Sequence, residues 1–167
     1  MAENKVKVEA KGETELVITR DFNAPRELVY RAHTEPQYMK RWLFGPDGWS
    51  LDVCEVDLRV GGKYRWVWKK DDISMGAGGE YREIERPARI VCTEQFDDPW
   101  YEGEAVSTLE LKENGGATTL VNTMRYSSKE ARDGVLASPM ADGMEISYKR
   151  LDDFLATESA QAAGSGD

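Results

Sequence analysis

The sequence contains few of the residues that metal sites and nucleophilic enzymes use. His33 is the only histidine, and the two cysteines, Cys54 and Cys92, stand far apart in strand-like apolar runs. A structural zinc site takes four histidine or cysteine ligands, and a Ser-His-Asp or Cys-His site could form only around His33. We therefore predict no metal, no cofactor and no catalytic residue. Both thiols are expected to be free, as in a reducing compartment.

Long apolar runs and clusters of basic residues are also missing. No run is long enough to span a bilayer, and the N-terminal segment MAENKVKVEAKGE lacks the apolar core of a signal peptide. Acidic residues number 31 and basic residues 22, so the formal net charge is −9. Nucleic acids and anionic membranes bind basic surfaces. We therefore predict a cytoplasmic protein that binds no nucleic acid and does not insert into membranes.

The apolar residues that are present suffice for one domain with a buried core. Hydrophobic residues make up 40% of the 167 and charged residues 32%, which is typical of a soluble globular protein. The first residues are charged, and the last are small and polar. We predict a flexible N-terminus over residues 1–13, a single domain over 14–156 and a disordered tail over 157–167.

The predicted elements follow the order strand, two short helices, six strands and a long helix. Glu15–Phe22 is rich in β-branched residues and predicts the first strand, and Pro25 and Pro36 open two short helices. From Ser50 the apolar residues recur with a period of two, interrupted by turns. Consecutive strands with short connections form antiparallel sheets. The predicted fold class is α+β, a curved seven-stranded antiparallel sheet wrapped around a long C-terminal helix, with two short helices between strands 1 and 2.

The long helix is predicted over Pro139–Ala156, with Ser138 as its cap, after a short helix that starts at a capping box of Ser127 and Glu130. At about 100° per residue, the C-terminal half of its inner face is ordinary core. The N-terminal half of that face is small and flexible, and it consists of Met140, Gly143, Met144, Ser147 and Tyr148. This composition fits either a core helix with methionine as filler or a helix facing a space.

Several motifs resemble the AHSA1 (Aha1 C-terminal-domain-like) group of the START/Bet v 1-like (SRPBCC) superfamily, whose members share the helix-grip fold. The motifs are ITRDFNAP at 18–25, AHTEP and MKRWLFGP within 32–46, EVDLRVGGKY at 55–64, GEYREIERPARIVCTEQF at 79–96, TTLVNTMRY at 118–126 and GMEISYKRLDDFLA at 143–156. The sequence departs at His33, where family members often carry Trp. We expect no functional change from that difference, and we expect His33 to have a surface or helix-capping role in preference to that of a general base.

The resemblance implies a hydrophobic cavity between the sheet and the C-terminal helix. Members of the wider superfamily bind lipids, sterols and polyketides, and a few are cyclases. We therefore predict that the protein binds a small hydrophobic or aromatic molecule, with a polyketide cyclase-like enzyme as one alternative. An Hsp90 co-chaperone-like interaction module is another. In the co-chaperone that gives the group its name, stimulation of the Hsp90 ATPase also uses a separate N-terminal domain. An interaction module of this kind would need an exposed surface patch instead of a cavity. A homodimer is left open.

The strand Lys63–Lys69 alternates so that Tyr64, Trp66 and Trp68 share one face, which indicates either a cavity wall or plain core packing. Trp42, beside a Gly-Pro-Asp-Gly loop, belongs to a cavity mouth or anchors that loop, and Trp100 and Tyr101 are candidates for the opposite rim. The predicted ligand-cavity residues are Trp42, Tyr64, Trp66, Trp68, Tyr81, Phe96, Met124, Tyr126, Met140, Met144, Ser147 and Tyr148.

Two charged residues share the parity of apolar neighbours in their strands. Arg20 alternates with Ile18 and Phe22, and Glu94 shares its face with Phe96. Pointing inward, each needs a partner. One alternative is that they form structural ion pairs. Another is that they bind a polar group of a ligand. In the enzyme alternative, they or Tyr148 would move a proton. Arg20 and Glu94 are the polar cavity candidates, and neither is assigned as catalytic.

Overall fold

The computed structural model describes residues 4–44, 47–98 and 103–165. Within these residues the chain forms one sheet and four helices. The strands are β1 (Lys7–Lys11), β2 (Glu15–Phe22), β3 (Ser50–Val56), β4 (Lys63–Lys70), β5 (Ile73–Glu85), β6 (Arg89–Phe96), β7 (Ala105–Asn114) and β8 (Ala117–Arg125). The helices are α1 (Arg26–Ala32), α2 (Pro36–Met39), α3 (Lys129–Ala137) and α4 (Met140–Ser165).

All neighbouring strands are antiparallel, in the order β1-β2-β8-β7-β6-β5-β4-β3. From β3 to β8, strands that follow one another in the chain are also neighbours in the sheet, as short connections require. The short helices α1 and α2 connect β2 to β3, so β2 pairs with β8 instead, with Ile18 opposite Asn122. The predicted α+β class with an antiparallel sheet and a C-terminal helix is confirmed.

The sheet has eight strands, so the prediction of seven strands is wrong by one. The additional strand β1 pairs with β2, with Val8 opposite Ile18, and it lies in the segment predicted as a flexible N-terminus. Most β1 side chains are exposed. Val6 and Val8 alternate with lysines and pack against the core, but so short an alternation in a charged segment gives only a weak strand signal.

Helix α4 lies on the inner face of the sheet, and its middle part, from Leu151 to Leu155, packs there as core. Leu151, Phe154 and Leu155 are almost fully buried in one apolar cluster with Leu120 of the sheet. Burying a side chain of this size stabilises the fold by about 1.5–3 kcal/mol. The helix continues to Ser165, past the predicted domain end at residue 156. None of the described helices is long and apolar enough to cross a membrane.

Helix α3 precedes α4, and its ends differ from the predicted caps. The Ser128 Oγ accepts a hydrogen bond from the Ala131 amide at 3.1 Å, so the cap lies one residue after the predicted Ser127. A capping oxygen must reach an amide of the first turn two or three residues on, and Ser128 satisfies this. Ser138, predicted to cap α4, instead donates its hydroxyl to the Val135 carbonyl at 2.5 Å and so ends α3.

Candidate ligand-binding cavity

A cavity of about 530 Å³ lies between the sheet and the N-terminal half of α4. The helix lines it with small and flexible side chains, which include Gly143, Met144 and Ser147. A Cβ atom built on Gly143 would meet no heavy atom within 4 Å. The cavity therefore opens where the helix presents little side-chain volume, and it closes where Leu151 begins the packed half.

Aromatic rings of β4 form one wall of the cavity. The ring centroids of Tyr64 and Trp66 are 4.8 Å apart, and those of Trp66 and Trp68 are 5.7 Å apart. The Tyr64 hydroxyl donates to the Thr93 carbonyl at 2.5 Å, and Trp68 Nε1 donates to the Leu43 carbonyl at 3.0 Å. Trp66 Nε1 is buried, and no described residue accepts its proton. The three rings thus line an open space, and one of their polar atoms has no protein partner among the described residues.

Trp42 and Tyr148 form a second aromatic group, between the short helices and α4. Their rings are stacked with centroids 5.9 Å apart. The His33 ring is inclined to that of Trp42, and the centroids of these two rings are 4.9 Å apart. Trp42 Nε1 donates to the Ala32 carbonyl at 2.9 Å, which anchors the ring at the end of α1. Trp42 therefore lines the cavity with its ring held against the end of α1.

His33 has the helix-capping position expected as one alternative, and it also lines the cavity instead of the surface. It is the C-cap residue of α1, and its Nδ1 lies 2.8 Å from the Val29 carbonyl. Because a carbonyl can only accept, Nδ1 carries the proton and Nε2 keeps its lone pair. That Nε2 is buried without a donor among the described residues. Burial lowers the pKa of His33 to about 4, so the ring is neutral at neutral pH. A single histidine on a short helix gives no pattern from which this position could be inferred.

Glu94 is the acidic residue of the cavity wall. It stands on β6 between Cys92 and Phe96, which line the same cavity. Burial raises the pKa of its carboxyl from 4.5 to about 7. Its side chain has no hydrogen bond or ion pair with any described residue. The structure thus places Glu94 on the inward face that the alternation of β6 predicted, but the structural ion pair that was one alternative for it is not formed with any described residue.

A polar strip beside Glu94 crosses three strands. Cys92 on β6 stands opposite Ser107 on β7, and the Ser107 hydroxyl donates to Asn122 Oδ1 on β8 at 2.9 Å. Burial raises the pKa of the Cys92 thiol to about 11, so it is neutral at neutral pH. Ser107 and Asn122 were not predicted as cavity residues, although both share the parity of the apolar residues on the inner face of their strands.

Most predicted cavity residues lie together in the wall. They are Trp42, Tyr64, Trp66, Trp68, Tyr81, Phe96, Met140, Met144, Ser147 and Tyr148. Met124 and Tyr126 lie elsewhere, in a second apolar cluster with Ala131 and Val135 of α3. They share the inner face of the sheet, but α3 covers that end of β8 and fills the space. Trp100 and Tyr101 fall outside the described residues.

Arg20, the second polar candidate, is not part of the cavity wall. Its side chain is fully buried, and its two terminal nitrogens donate to Asp152 at 2.8 Å each, while Nε donates to Glu145 at 2.9 Å. Glu145 also accepts from the Val6 amide at 2.9 Å. The guanidinium therefore joins β2 to α4 in a structural ion-pair cluster, which was one of the alternatives for Arg20. Its donors are engaged there and are not directed at a ligand.

A curved antiparallel sheet that encloses a cavity against a long C-terminal helix defines the helix-grip class of START/Bet v 1-like proteins. The family model described as "Activator of Hsp90 ATPase homolog 1-like protein" (AHSA1) matches residues 23–156. The chain belongs to this family, which confirms the resemblance found in its motifs. A comparison with curated protein sequences found no match.

Solved structures share this fold over nearly the whole chain. A protein from Rhodobacter sphaeroides is 34% identical, with a TM-score of 0.87, over 92% of this chain and 99% of that one. Ms6760 from Mycobacterium smegmatis is 22% identical, with a TM-score of 0.78, over 90% and 96%. CalU16 from Micromonospora echinospora is 21% identical, with a TM-score of 0.61, over 98% and 91%. The last two similarities establish the common fold.

Proposed function

We propose that the protein binds a small, mainly apolar molecule in the cavity between the sheet and α4. The observation that carries the proposal is a space of about 530 Å³ lined by aromatic and methionine side chains at the centre of the fold. Protein interiors are close-packed, and their few voids rarely exceed the size of a water molecule. Pockets of about 300–1,000 Å³ with apolar walls are typical of small-molecule sites.

The polar atoms of the wall support recognition of a molecule that is not wholly apolar. Trp66 Nε1, His33 Nε2 and the Glu94 carboxyl have no protein partner among the described residues. A buried polar group without a partner costs about 1–3 kcal/mol. A ligand that supplies a hydrogen bond to any of them recovers part of this cost. The rings would thus provide affinity, and these few polar atoms would fix the orientation of the ligand.

Gly143 provides the sharpest test of the cavity, because it lines the space and a Cβ atom built there meets no heavy atom within 4 Å. We expect Gly143→Leu to abolish binding of apolar probes such as ethylnaphthalene, measured by calorimetry. Leu is also a better helix former than Gly, by about 0.8 kcal/mol, so thermal stability should be unchanged or higher. Lys149→Leu adds the same side chain to the exposed face of α4, and this control should bind as the wild type does.

Equal binding by wild type and Gly143→Leu would mean that the probe lies outside the cavity. Absence of any binding to the wild type would contradict the proposal directly. Native mass spectrometry of the purified protein adds an independent measurement, since a bound molecule that is retained in the wild type should be lost in Gly143→Leu.

An enzyme of the polyketide cyclase-like type is a second candidate function for the same cavity. The observation that favours it is the Glu94 carboxyl, whose pKa burial raises to about 7, the range in which a general acid or base is most effective. Arg20 cannot serve with it, because its nitrogens are bound to Asp152 and Glu145. Conversion of a bound polyketide-like molecule that stops in Glu94→Gln, with binding retained, would favour the enzyme over a simple binding protein.

A further inference from the structure

The charge of Glu94 is not balanced by the residues around it. No lysine or arginine contributes to the cavity wall among the described residues, and the wall's histidine, His33, is neutral at neutral pH. Elsewhere the chain does compensate a buried charge, since Arg20 is paired with both Asp152 and Glu145. Among the described residues, the Glu94 carboxyl thus lacks the cationic partner that the carboxylates around Arg20 have.

Three hydrogen-bond donors of the cavity wall are engaged with acceptors other than Glu94. The Ser107 hydroxyl donates to Asn122, and the Tyr64 hydroxyl donates to the Thr93 carbonyl. Trp68 Nε1 is likewise bound to the Leu43 carbonyl. No described residue donates a hydrogen bond to the oxygens of Glu94, so a donor on a bound molecule could pair them.

Aromatic rings surround the same space. Phe96 lies two positions along the same face of β6, Tyr81 stands opposite Cys92 on β5, and Trp66 lines the adjoining wall. The faces of such rings attract cations within about 6 Å of the ring centre. A carboxylate together with aromatic faces is the combination that favours an organic ammonium group over a neutral one.

We propose that the cavity prefers apolar molecules that carry one basic nitrogen, whose ammonium group pairs with Glu94. This inference rests on the proposed binding function and names the chemical class of its ligand. Burial raises the pKa of Glu94 to about 7, and a bound cation would favour the ionised form. The naphthalene-sized apolar part of such a molecule would contact the aromatic wall.

The test compares naphthylmethylamine with its neutral isostere ethylnaphthalene by calorimetry at mildly alkaline pH. The wild type should bind the amine more tightly. Glu94→Gln should weaken amine binding roughly ten- to a hundredfold, the size expected for a charge-assisted hydrogen bond, and should leave ethylnaphthalene binding within a few-fold. Glu80→Gln is the matched control, because it removes one exposed carboxylate from the neighbouring strand β5, and it should change neither affinity.

Each result assigns success or failure to one of the two proposals. If ethylnaphthalene binds but the amine binds no more tightly, or if Glu94→Gln strengthens both ligands alike, the inference about Glu94 is wrong and the cavity proposal stands. If naphthylmethanol loses as much affinity in Glu94→Gln as the amine does, the site recognises a hydrogen-bond donor and not a cation, which also overturns the inference. If neither naphthalene binds the wild type, the cavity proposal fails. Circular dichroism of the variants checks that the fold is retained.

Discussion

At the scale of single residues, two inward-facing charges that look alike in the sequence have different roles. Arg20 and Glu94 both alternate with apolar neighbours, and both are surrounded by protein. Arg20 is paired because its long side chain reaches two carboxylates of α4, Glu145 and Asp152. Glu94 instead lines the cavity, where no described residue forms an ion pair with it. The difference lies in the partner element, which strand alternation cannot reveal.

Arg20 gives the prediction that belongs to this scale. Replacing it with Met should destabilise the protein by about 3–5 kcal/mol, because the change leaves Glu145 and Asp152 near each other without their cation. Urea unfolding measures the loss. Arg86→Met is the control, since that arginine pairs with Glu27 at the exposed surface, where ion pairs contribute little. A loss in Arg20→Met no larger than in Arg86→Met would show that the buried cluster does not hold β2 to α4.

At the scale of elements, the predictable strands were those in which apolar and polar residues alternate between turn residues. Strand β1 and the position of α3 on the sheet were not predictable. The predicted bounds of the first strand, Glu15–Phe22, are those of β2. Strand β1 escaped prediction because its alternation of Val6 and Val8 with lysines is short and lies in a charged, mostly exposed segment. The inner face of α4 was predicted from the small residues around Gly143. Which end of the sheet α3 would cover was not, because that depends on tertiary packing that displaces Met124 and Tyr126 from the cavity.

The N-cap of α3 supplies the prediction at the element scale. Ser128→Ala should cost about 1 kcal/mol of stability, because the Ala131 amide loses its acceptor. Ser128→Asp should retain most of the stability, since a carboxylate also caps and favours a helix N-terminus. Both are measured by urea unfolding. An equal loss in the two variants would mean that the hydroxyl contributes through packing and not through the cap.

At the scale of the whole molecule, Glu94 and His33 oppose each other in the pH dependence of stability. The folded state holds the Glu94 proton more tightly, with a pKa of about 7 against 4.5, so stability is lost as pH rises from 4.5 to 7. His33 has a pKa of about 4 against 6.5, so the unfolded state is protonated first and stability is lost as pH falls from 6.5 to 4. Each shift corresponds to about 3 kcal/mol. Between pH 4.5 and 6.5 the two contributions nearly cancel.

In single variants the free energy of unfolding should therefore depend on pH more steeply than in the wild type, where the two contributions oppose each other. Glu94→Gln should lose about 3 kcal/mol more than the wild type when the pH falls from 6.5 to 4.5, and above pH 7 it should be the more stable protein. His33→Phe, which keeps a ring against Trp42, should instead gain stability over the same fall in pH. Urea unfolding across this range gives the differences, in which the contributions of surface carboxylates such as Asp97 and Asp133 cancel. Parallel curves for wild type and Glu94→Gln would show that Glu94 titrates as an exposed carboxyl, and the cavity wall would then hold no buried acid.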